Sequence, residues 1–213
     1  MVPHRDRALE AAIADFPGTV ETLKTLVRIP SCSFPGSDPA QVERSATACA
    51  LYLTSSGFPD VRRIQAAGGH PCLLASDRRA GPGAFTLLLY AHHDVQPPLD
   101  RALWSSEPFD PVERDGRLHG RGTSDDKAGI CAIAATIAAW TAAAGRPPIN
   151  LVALIDGEEE IGSPHLPALC DEHADLLRAD ALAILDTSTL AAGLPCLTTS
   201  LRGLVVLRAT LHS

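Results

Sequence analysis

The chain has 213 residues, of which 46% are hydrophobic, 20% charged and 4% aromatic, and its formal net charge is −7. This length and composition are typical of a soluble globular protein with one domain or a domain and a half. The acidic balance and the lack of a Lys/Arg cluster argue against a nucleic-acid partner, because phosphate binding needs a basic face.

Apolar residues at helical spacing predict two helices near the start of the chain, and Pro30 follows the end of the second. Ser37, Asp38 and Pro39 predict the start of a third helix. Continuous apolar runs of strand length are typical of central strands that are covered on both faces. The predicted helices cover residues 8–16, 20–27, 41–54, 128–145 and 166–178. The predicted strands cover residues 61–67, 72–75, 84–90, 149–155 and 181–185, with a hairpin over 110–118.

The alternation of strands and helices predicts an α/β fold with a mostly parallel mixed sheet and helices on both faces. The predicted helix over 128–145 is long and apolar, but it is rich in alanine and follows the charged residues Asp125, Asp126 and Lys127. We therefore interpret it as a buried core helix and expect no membrane contact. The first sixteen residues lack the apolar run of a secretory signal. Six widely spaced cysteines without a CxxC pair indicate reduced, mostly buried thiols in a cytoplasmic protein.

Acidic and imidazole side chains follow three of the predicted strands, where functional sites in such sheets collect. A hydrolytic site with two metal ions needs about three protein ligands per ion, one shared carboxylate, and a carboxylate that takes a proton from water. Imidazole together with carboxylate suits zinc, with cobalt or manganese as substitutes. The candidates for such a site are His92, Asp94, Asp125, Glu159, Glu160 and Asp186.

Five collinear segments carry a resemblance to a known family. They are residues 89–97 (LYAHHDVQP), 116–127 (GRLHGRGTSDDK), 156–163 (DGEEEIGS), 185–187 (LDT) and 201–203 (LRG). In this order they resemble the motifs of the zinc hydrolase family that includes aminoacylase, acetylornithine deacetylase, glutamate carboxypeptidase and carnosine-type dipeptidases. The amino-acid sequences of the first three segments are most similar to those of the dipeptidase branch. The resemblance spans roughly residues 20–210 and implies a catalytic domain like that of two-metal exopeptidases.

The resemblance also implies which residues bind the two zinc ions. His92 and Asp186 would bind one ion, and Glu160 would bind the other. Asp125 would bridge the two ions, with a cis peptide bond between Asp125 and Asp126. Asp125 could also be a simple helix N-cap, since acidic residues favour that position, although Ser124 and Asp126 could cap equally well.

Two further residues take catalytic roles in this resemblance. Asp94 would hold the His92 imidazole in the correct tautomer, and Glu159 would be the general base. The implied reaction is hydrolysis of amide bonds in small substrates, either dipeptides or N-acyl amino acids, by a metal-activated bridging water. We expect His93 to line the pocket or to form hydrogen bonds rather than to bind metal. The other histidines, at positions 4, 70, 119 and 165, have no partner pattern and are interpreted as structural.

The resemblance divides the chain into residues 1–200, the N-terminal portion of the catalytic domain, and residues 201–213, the start of a lid and dimerisation domain. The rest of the lid, through which the full-length form would be a homodimer, and a final histidine ligand lie beyond the sequence. His212 resembles a histidine of the lid that reaches a neighbouring active site. Because the resemblance places one ligand of the second ion beyond the sequence, we expect one tightly bound zinc, hydrolysis that is weak or absent, and an exposed apolar surface.

An alternative function is that of a catalytically inactive remnant that acts as a binding or scaffold protein. The presence of Asp94, Asp125 and Glu159 argues against it, because a remnant has no need of a base. The sequence contains neither GxGxxG after a strand nor GxxxxGK[ST], which argues against a nucleotide-binding domain. It also lacks GxSxG, which argues against a serine hydrolase.

Overall fold

The computed structural model describes residues 2–187, 189, 191, 193–205 and 207–211. In this part of the chain the helices are α1 (Val2–Ala14), α2 (Phe16–Val27), α3 (Pro39–Ser56), α4 (Lys127–Ala144), α5 (Leu166–Glu172) and α6 (Ala174–Leu177). The strands are β1 (Asp60–Ile64), β2 (Cys72–Asp77), β3 (Thr86–His92), β4 (Val112–Arg114), β5 (Arg117–His119), β6 (Asn150–Asp156) and β7 (Ala181–Ile184).

Local sequence signals account for the ends of several helices. The Asp38 side chain accepts a hydrogen bond from the backbone N–H of Ala40 at the start of α3, as the sequence predicts. The same helix ends at Gly57, whose φ of 116° is a left-handed conformation that glycine adopts without strain. The single helix that we predicted over 166–178 is wrong, because the chain leaves helical geometry at His173 and forms two short helices.

The main sheet has the strand order β1-β2-β6-β3-β7. β3 pairs in parallel with β6 and β7, whereas β1 with β2 and β2 with β6 are antiparallel. The prediction of a mixed α/β sheet is confirmed, although parallel pairs make up half of the four pairings rather than most of them. The predicted hairpin is also present as β4 and β5, joined by Asp115 and Gly116, whose positive φ angles suit a tight hairpin turn.

The register of the parallel strands brings three chain segments to one edge of the sheet. His92, the last residue of β3, lies beside Asp156, the last residue of β6. Ile184 at the end of β7 lies beside Tyr90, and Asp186 follows two residues later. The acidic and imidazole residues that follow these strands are therefore neighbours in space.

Helices cover both faces of the main sheet, as predicted. One face packs against α2, α3 and α4 in a cluster that includes Leu26, Leu53 and Ile137. The other face packs against α5 in a smaller cluster around Leu169. By length and composition alone α4 could cross a membrane, yet 44% of it is buried inside the protein. Its isoleucines are buried against the sheet, in accord with its interpretation as a core helix.

Lys127, the first residue of α4, is completely buried. Its Nζ donates hydrogen bonds to the backbone oxygens of Leu26, at 2.8 Å, and Ile29, at 2.7 Å. Burial lowers the pKa of Lys127 to about 8. This side chain thus connects the start of α4 to the end of α2, beside Asp125 and Asp126.

The packing of α4 leads to a prediction about stability. Ile137 is fully buried, so Ile137→Ala should lower the free energy of unfolding by about 2–5 kcal/mol through lost burial and a residual cavity. The matched control is Leu103→Ala, because Leu103 is 85% exposed and its truncation should change stability by less than about 0.5 kcal/mol. Urea unfolding followed by circular dichroism measures both, and equal effects would contradict the packing of α4.

Candidate active site

The orientation of the His92 imidazole is fixed by Asp94. The ring Nδ1 lies 3.1 Å from the backbone oxygen of Asp94 and 3.3 Å from its carboxylate. Both of these groups are acceptors, so Nδ1 carries a proton and Nε2 is the nitrogen that faces the site. His92 and Asp94 are both fully buried, which keeps the ring in this orientation.

Three carboxylates surround Nε2 of His92. The nearest oxygens belong to Asp125 at 3.0 Å, Asp186 at 3.6 Å and Glu159 at 3.8 Å. These residues come from the segment before α4, the segment after β7 and the turn after β6. The convergence of Asp125 and Asp186 on His92 is the arrangement that the sequence predicts.

Two groups of potential metal ligands share the His92 imidazole. One consists of His92, Glu159 and Asp186, and the other of His92, Asp125 and Glu160. Within each group the ligand atoms lie within 4.8 Å of one another. The two groups contain all four predicted ligands and also the predicted base. Which carboxylate serves which ion stays a prediction.

The Asp94 carboxylate contacts more of the site than the sequence predicts. Besides His92, its oxygens accept hydrogen bonds from Ser33 Oγ at 2.6 Å and from the backbone N–H groups of Glu159 and Glu160 at 3.2 and 3.1 Å. Burial acts to raise the pKa of Asp94, but the hydrogen bonds from His92 and Ser33 hold it below its ordinary value. Asp94 is therefore ionised despite its burial.

Gln96 holds the carboxylate of Glu160. Its backbone N–H donates to Oε1 at 3.1 Å, and its side-chain amide donates to Oε2 at 2.6 Å. Sequence reasoning missed this role, although Gln96 lies in the same motif as His92 and Asp94. It also missed Ser33, for which the sequence carries no signal.

The peptide bond between Asp125 and Asp126 is cis, as expected. Asp126 is buried, and one oxygen accepts a hydrogen bond from the backbone N–H of His92 at 3.2 Å. The other oxygen has no hydrogen-bond partner among the residues that the structure describes. Burial raises the pKa of Asp126 to about 8, although the charge of His92 acts in the opposite direction. Asp126 thus supports the backbone of His92 rather than capping α4.

His93 forms a hydrogen bond in the interior and is not part of either ligand group. Its Nε2 lies 2.8 Å from the backbone oxygen of Pro71. His165, interpreted from the sequence as structural, lies against Glu158 at 2.8 Å. His212 falls outside the described residues, so its predicted part in a site stays a prediction.

The electrostatics of the site favour a bound cation. Burial raises the pKa values of Glu159, Glu160 and Asp186, and neighbouring carboxylates raise them further. Burial opposes protonation of His92, yet the hydrogen bond to Asp94 and the surrounding negative charges raise its pKa to about 10. An excess of negative charge around imidazole and carboxylate ligands fits a divalent cation.

The site is open to small molecules. A cavity of about 1100 Å³ lies beside Glu159 and Asp186, and its walls include Tyr90, Leu154 and Ile184. The Asp125 and Glu159 side chains are 55% and 38% exposed, so solvent reaches the carboxylates that face Nε2 of His92. The arrangement thus places solvent-accessible carboxylates and a potential cation site beside a cavity large enough for a small molecule.

Comparison with known proteins identifies the family of this chain. The model of peptidase family M20/M25/M40 matches residues 88–197. The Cys-Gly metallodipeptidase DUG1 of Saccharomyces cerevisiae is 31% identical over 195 residues, which are 85% of this chain and 40% of the relative. The Beta-Ala-His dipeptidase of Mus musculus is 31% identical over 155 residues, 72% of this chain and 31% of the relative.

Solved structures show the same fold. The di-peptidase Dug1p from Saccharomyces cerevisiae superposes with a TM-score of 0.76 at 27% identity, over 85% of this chain and 41% of that chain. Human carnosine dipeptidase 1 superposes with a TM-score of 0.72 at 28% identity, with the same coverage. This chain thus spans about two fifths of the length of these two proteins.

The shifted pKa values predict how the stability of the metal-free chain depends on pH. The pKa of His92 is raised from 6.5 to about 10, so its stabilising contribution is complete below pH 6.5 and is lost as the pH rises through 10. Asp126 has its pKa raised from 3.8 to about 8, so the folded state retains a proton that the unfolded state releases in this range. The free energy of unfolding should therefore fall from about pH 5 to about pH 8. Above pH 8 the lowered pKa of Lys127 acts in the opposite direction to that of His92, and the curve should level off.

Urea unfolding with a chelator present measures this slope. Asp126→Asn removes one of the two ionisable groups and should flatten the curve below about pH 8. Added Zn²⁺ should reduce the fall in the free energy of unfolding at high pH. The bound cation then balances the carboxylate charges that the proton on His92 balances in the metal-free chain. Stability that stays constant or rises over this range would contradict the charge balance of the site.

Proposed function

Because this chain belongs to peptidase family M20/M25/M40, we propose that it acts in the metal-dependent hydrolysis of amide bonds in small substrates. Dipeptides are the first candidates, since the similar relatives named above are dipeptidases, and N-acyl amino acids are the second. The observation that carries the proposal is the environment of His92. Its Nδ1 is held by Asp94, while Nε2 faces Asp125, Glu159 and Asp186.

The residues of the site would have different roles in hydrolysis. Asp94 keeps His92 in the tautomer that can bind a cation, and Gln96 holds Glu160 in place. Glu159 is the best candidate for the general base, because its partly exposed carboxylate lies at the cavity and its pKa is raised by burial. In that role it would accept a proton from water and later donate it to the leaving amine.

We further propose zinc as the metal, with two ions per site in the full-length form and cobalt or manganese as substitutes. When bound, the ions would polarise the scissile carbonyl and lower the pKa of a water molecule. The ligand set of His92, Asp125, Glu160 and Asp186 fits this proposal in its chemistry, since it combines one imidazole with three carboxylates. The cytoplasmic location, the homodimer of the full-length form and the domain boundary near residue 200 stay predictions.

Metal titration and activity assays test the proposed function together. The chain is stripped with a chelator and titrated with Zn²⁺, and hydrolysis of Cys-Gly and β-Ala-His is then followed. We expect about one tightly bound Zn²⁺ per chain, and hydrolysis that is weak in this chain, disappears on chelation and returns with Zn²⁺. Zn²⁺ binding without hydrolysis in the full-length form as well would favour the alternative of an inactive binding protein, and a chain that binds no Zn²⁺ would contradict the proposal.

Substitution of the two adjacent glutamates separates their roles. In the full-length form, Glu159→Gln should lower the turnover number by about 10²–10⁴, the usual contribution of a positioned general base, and leave the metal content nearly unchanged. Glu160→Gln should instead lower the metal content. Steady-state kinetics and elemental analysis of the same samples measure both effects. Equal loss of metal in the two variants would show that the assignment of base and ligand is wrong.

Replacement of Asp94 tests its part in orienting His92. The Asp94 carboxylate accepts from four donors, which are His92 Nδ1, Ser33 Oγ and the backbone N–H groups of Glu159 and Glu160. In Asp94→Asn the side-chain NH₂ group faces at least one of these donors and cannot accept from it. His92 and the acidic turn are then held less well, so Zn²⁺ affinity should fall by about 10–100-fold. Ser33→Ala is the milder control, because it removes only one of those donors. Competition with a chromophoric chelator measures the affinities. Unchanged Zn²⁺ affinity in Asp94→Asn would exclude this role.

A further inference from the structure

The three consecutive glutamates of the DGEEEIGS segment have different environments. Glu159 and Glu160 each belong to a group of potential metal ligands. Glu158 is buried, with 3% of its surface exposed, and belongs to neither group. Its carboxylate accepts a hydrogen bond from the backbone N–H of His70 at 2.8 Å and lies 2.8 Å from Nδ1 of His165.

These contacts join three segments that are distant in sequence. His70 lies just before β2, Glu158 follows β6, and His165 precedes α5. The backbone of Glu158 is fixed as well. Its N–H donates to Oδ1 of Asp156 at 3.0 Å, and its carbonyl oxygen accepts from the backbone N–H of Ser163 at 2.9 Å. The turn that carries Glu159 and Glu160 is thus anchored at its first residue.

Two glycines leave the space that this anchor occupies. A Cβ on Gly69 would lie 2.9 Å from Nδ1 of His165 and 3.3 Å from Oε1 of Glu158. A Cβ on Gly157 would lie 2.3 Å from the backbone oxygen of Pro71. Close approach of the two backbones therefore brings the Glu158 carboxylate within reach of both of its partners.

We propose that Glu158 is a positioning residue for the pair Glu159 and Glu160. Its carboxylate holds the turn from the side of β2 and α5, while Asp94 holds the backbone N–H groups of Glu159 and Glu160 from the opposite side. With both anchors in place, the two glutamate side chains have fixed positions relative to His92. This inference rests on the metal-dependent function proposed above.

Cobalt binding gives a readout that does not depend on catalysis. Glu158→Met keeps the length of the side chain but removes both acceptors, so Co²⁺ affinity should fall about 10–100-fold, as for other groups that orient ligands. The visible absorption spectrum of bound Co²⁺ should also change, because it reports ligand geometry. Glu158→Gln retains an acceptor for the His70 N–H and should have an intermediate effect. Glu172→Met on the exposed face of α5 is the matched control and should bind Co²⁺ like the wild type.

Gly69→Ala disturbs the same anchor without changing Glu158 and should also weaken Co²⁺ binding. Wild-type affinity and an unchanged spectrum in Glu158→Met would overturn the proposal, even if the melting temperature falls, because the role would then be structural only. If Glu158→Met does not fold, Glu158→Gln and Gly69→Ala decide in the same way. A wild-type chain that binds no Co²⁺ or Zn²⁺ would overturn the proposed function and this inference together, which distinguishes that failure from the failure of the anchor alone.

Discussion

The Asp94 carboxylate contacts four donors from three separate segments of the chain. Ser33 precedes α3, His92 ends β3, and the N–H groups of Glu159 and Glu160 belong to the turn after β6. A buried carboxylate is costly unless it is hydrogen-bonded, and this one is bonded on both oxygens. The position of the imidazole and the position of the acidic turn therefore depend on the same group. A change at Asp94 would move both.

Asp156, at the end of the neighbouring strand β6, connects a second set of segments. Its carboxylate accepts hydrogen bonds from Cys72, Tyr90, Ser163 and the backbone N–H of Glu158. It thereby links β2, β3 and the turn after β6 beside the site. The two aspartates hold the ends of the strands rigidly enough for partly exposed carboxylates to stay close together. Such support is what a site of converging negative charges requires when no cation is bound.

The features predicted correctly from the sequence are those fixed by local patterns and by the geometry of parallel strands. The start of α3 follows from Asp38 as N-cap and Pro39 as a first-turn residue. The approach of Asp186 to His92 agrees with the rule that functional residues collect after the ends of strands, although the sequence did not predict that β3 and β7 are neighbours.

The features that the sequence did not reveal depend on long-range contacts. Glu158 differs from Glu159 in its environment because its carboxylate binds the backbone N–H of His70, about ninety residues earlier in the chain. Ser33 likewise contacts Asp94 from a distant loop. The break at His173 in the predicted last helix likewise has no strong local signal such as proline or glycine.

The two edges of the main sheet differ in character. β1 carries Asp60, Arg62 and Arg63, and charged side chains at an edge discourage pairing with further strands. At the opposite edge, β7 presents Leu182 and Ile184, which are 56% and 50% exposed, and β3 is its one strand partner in the described part of the chain. A further strand is therefore more readily added beside β7 than beside β1. A strand added there would run alongside the segment that leads to Asp186, so sheet extension and the order of the metal-binding edge would be physically coupled.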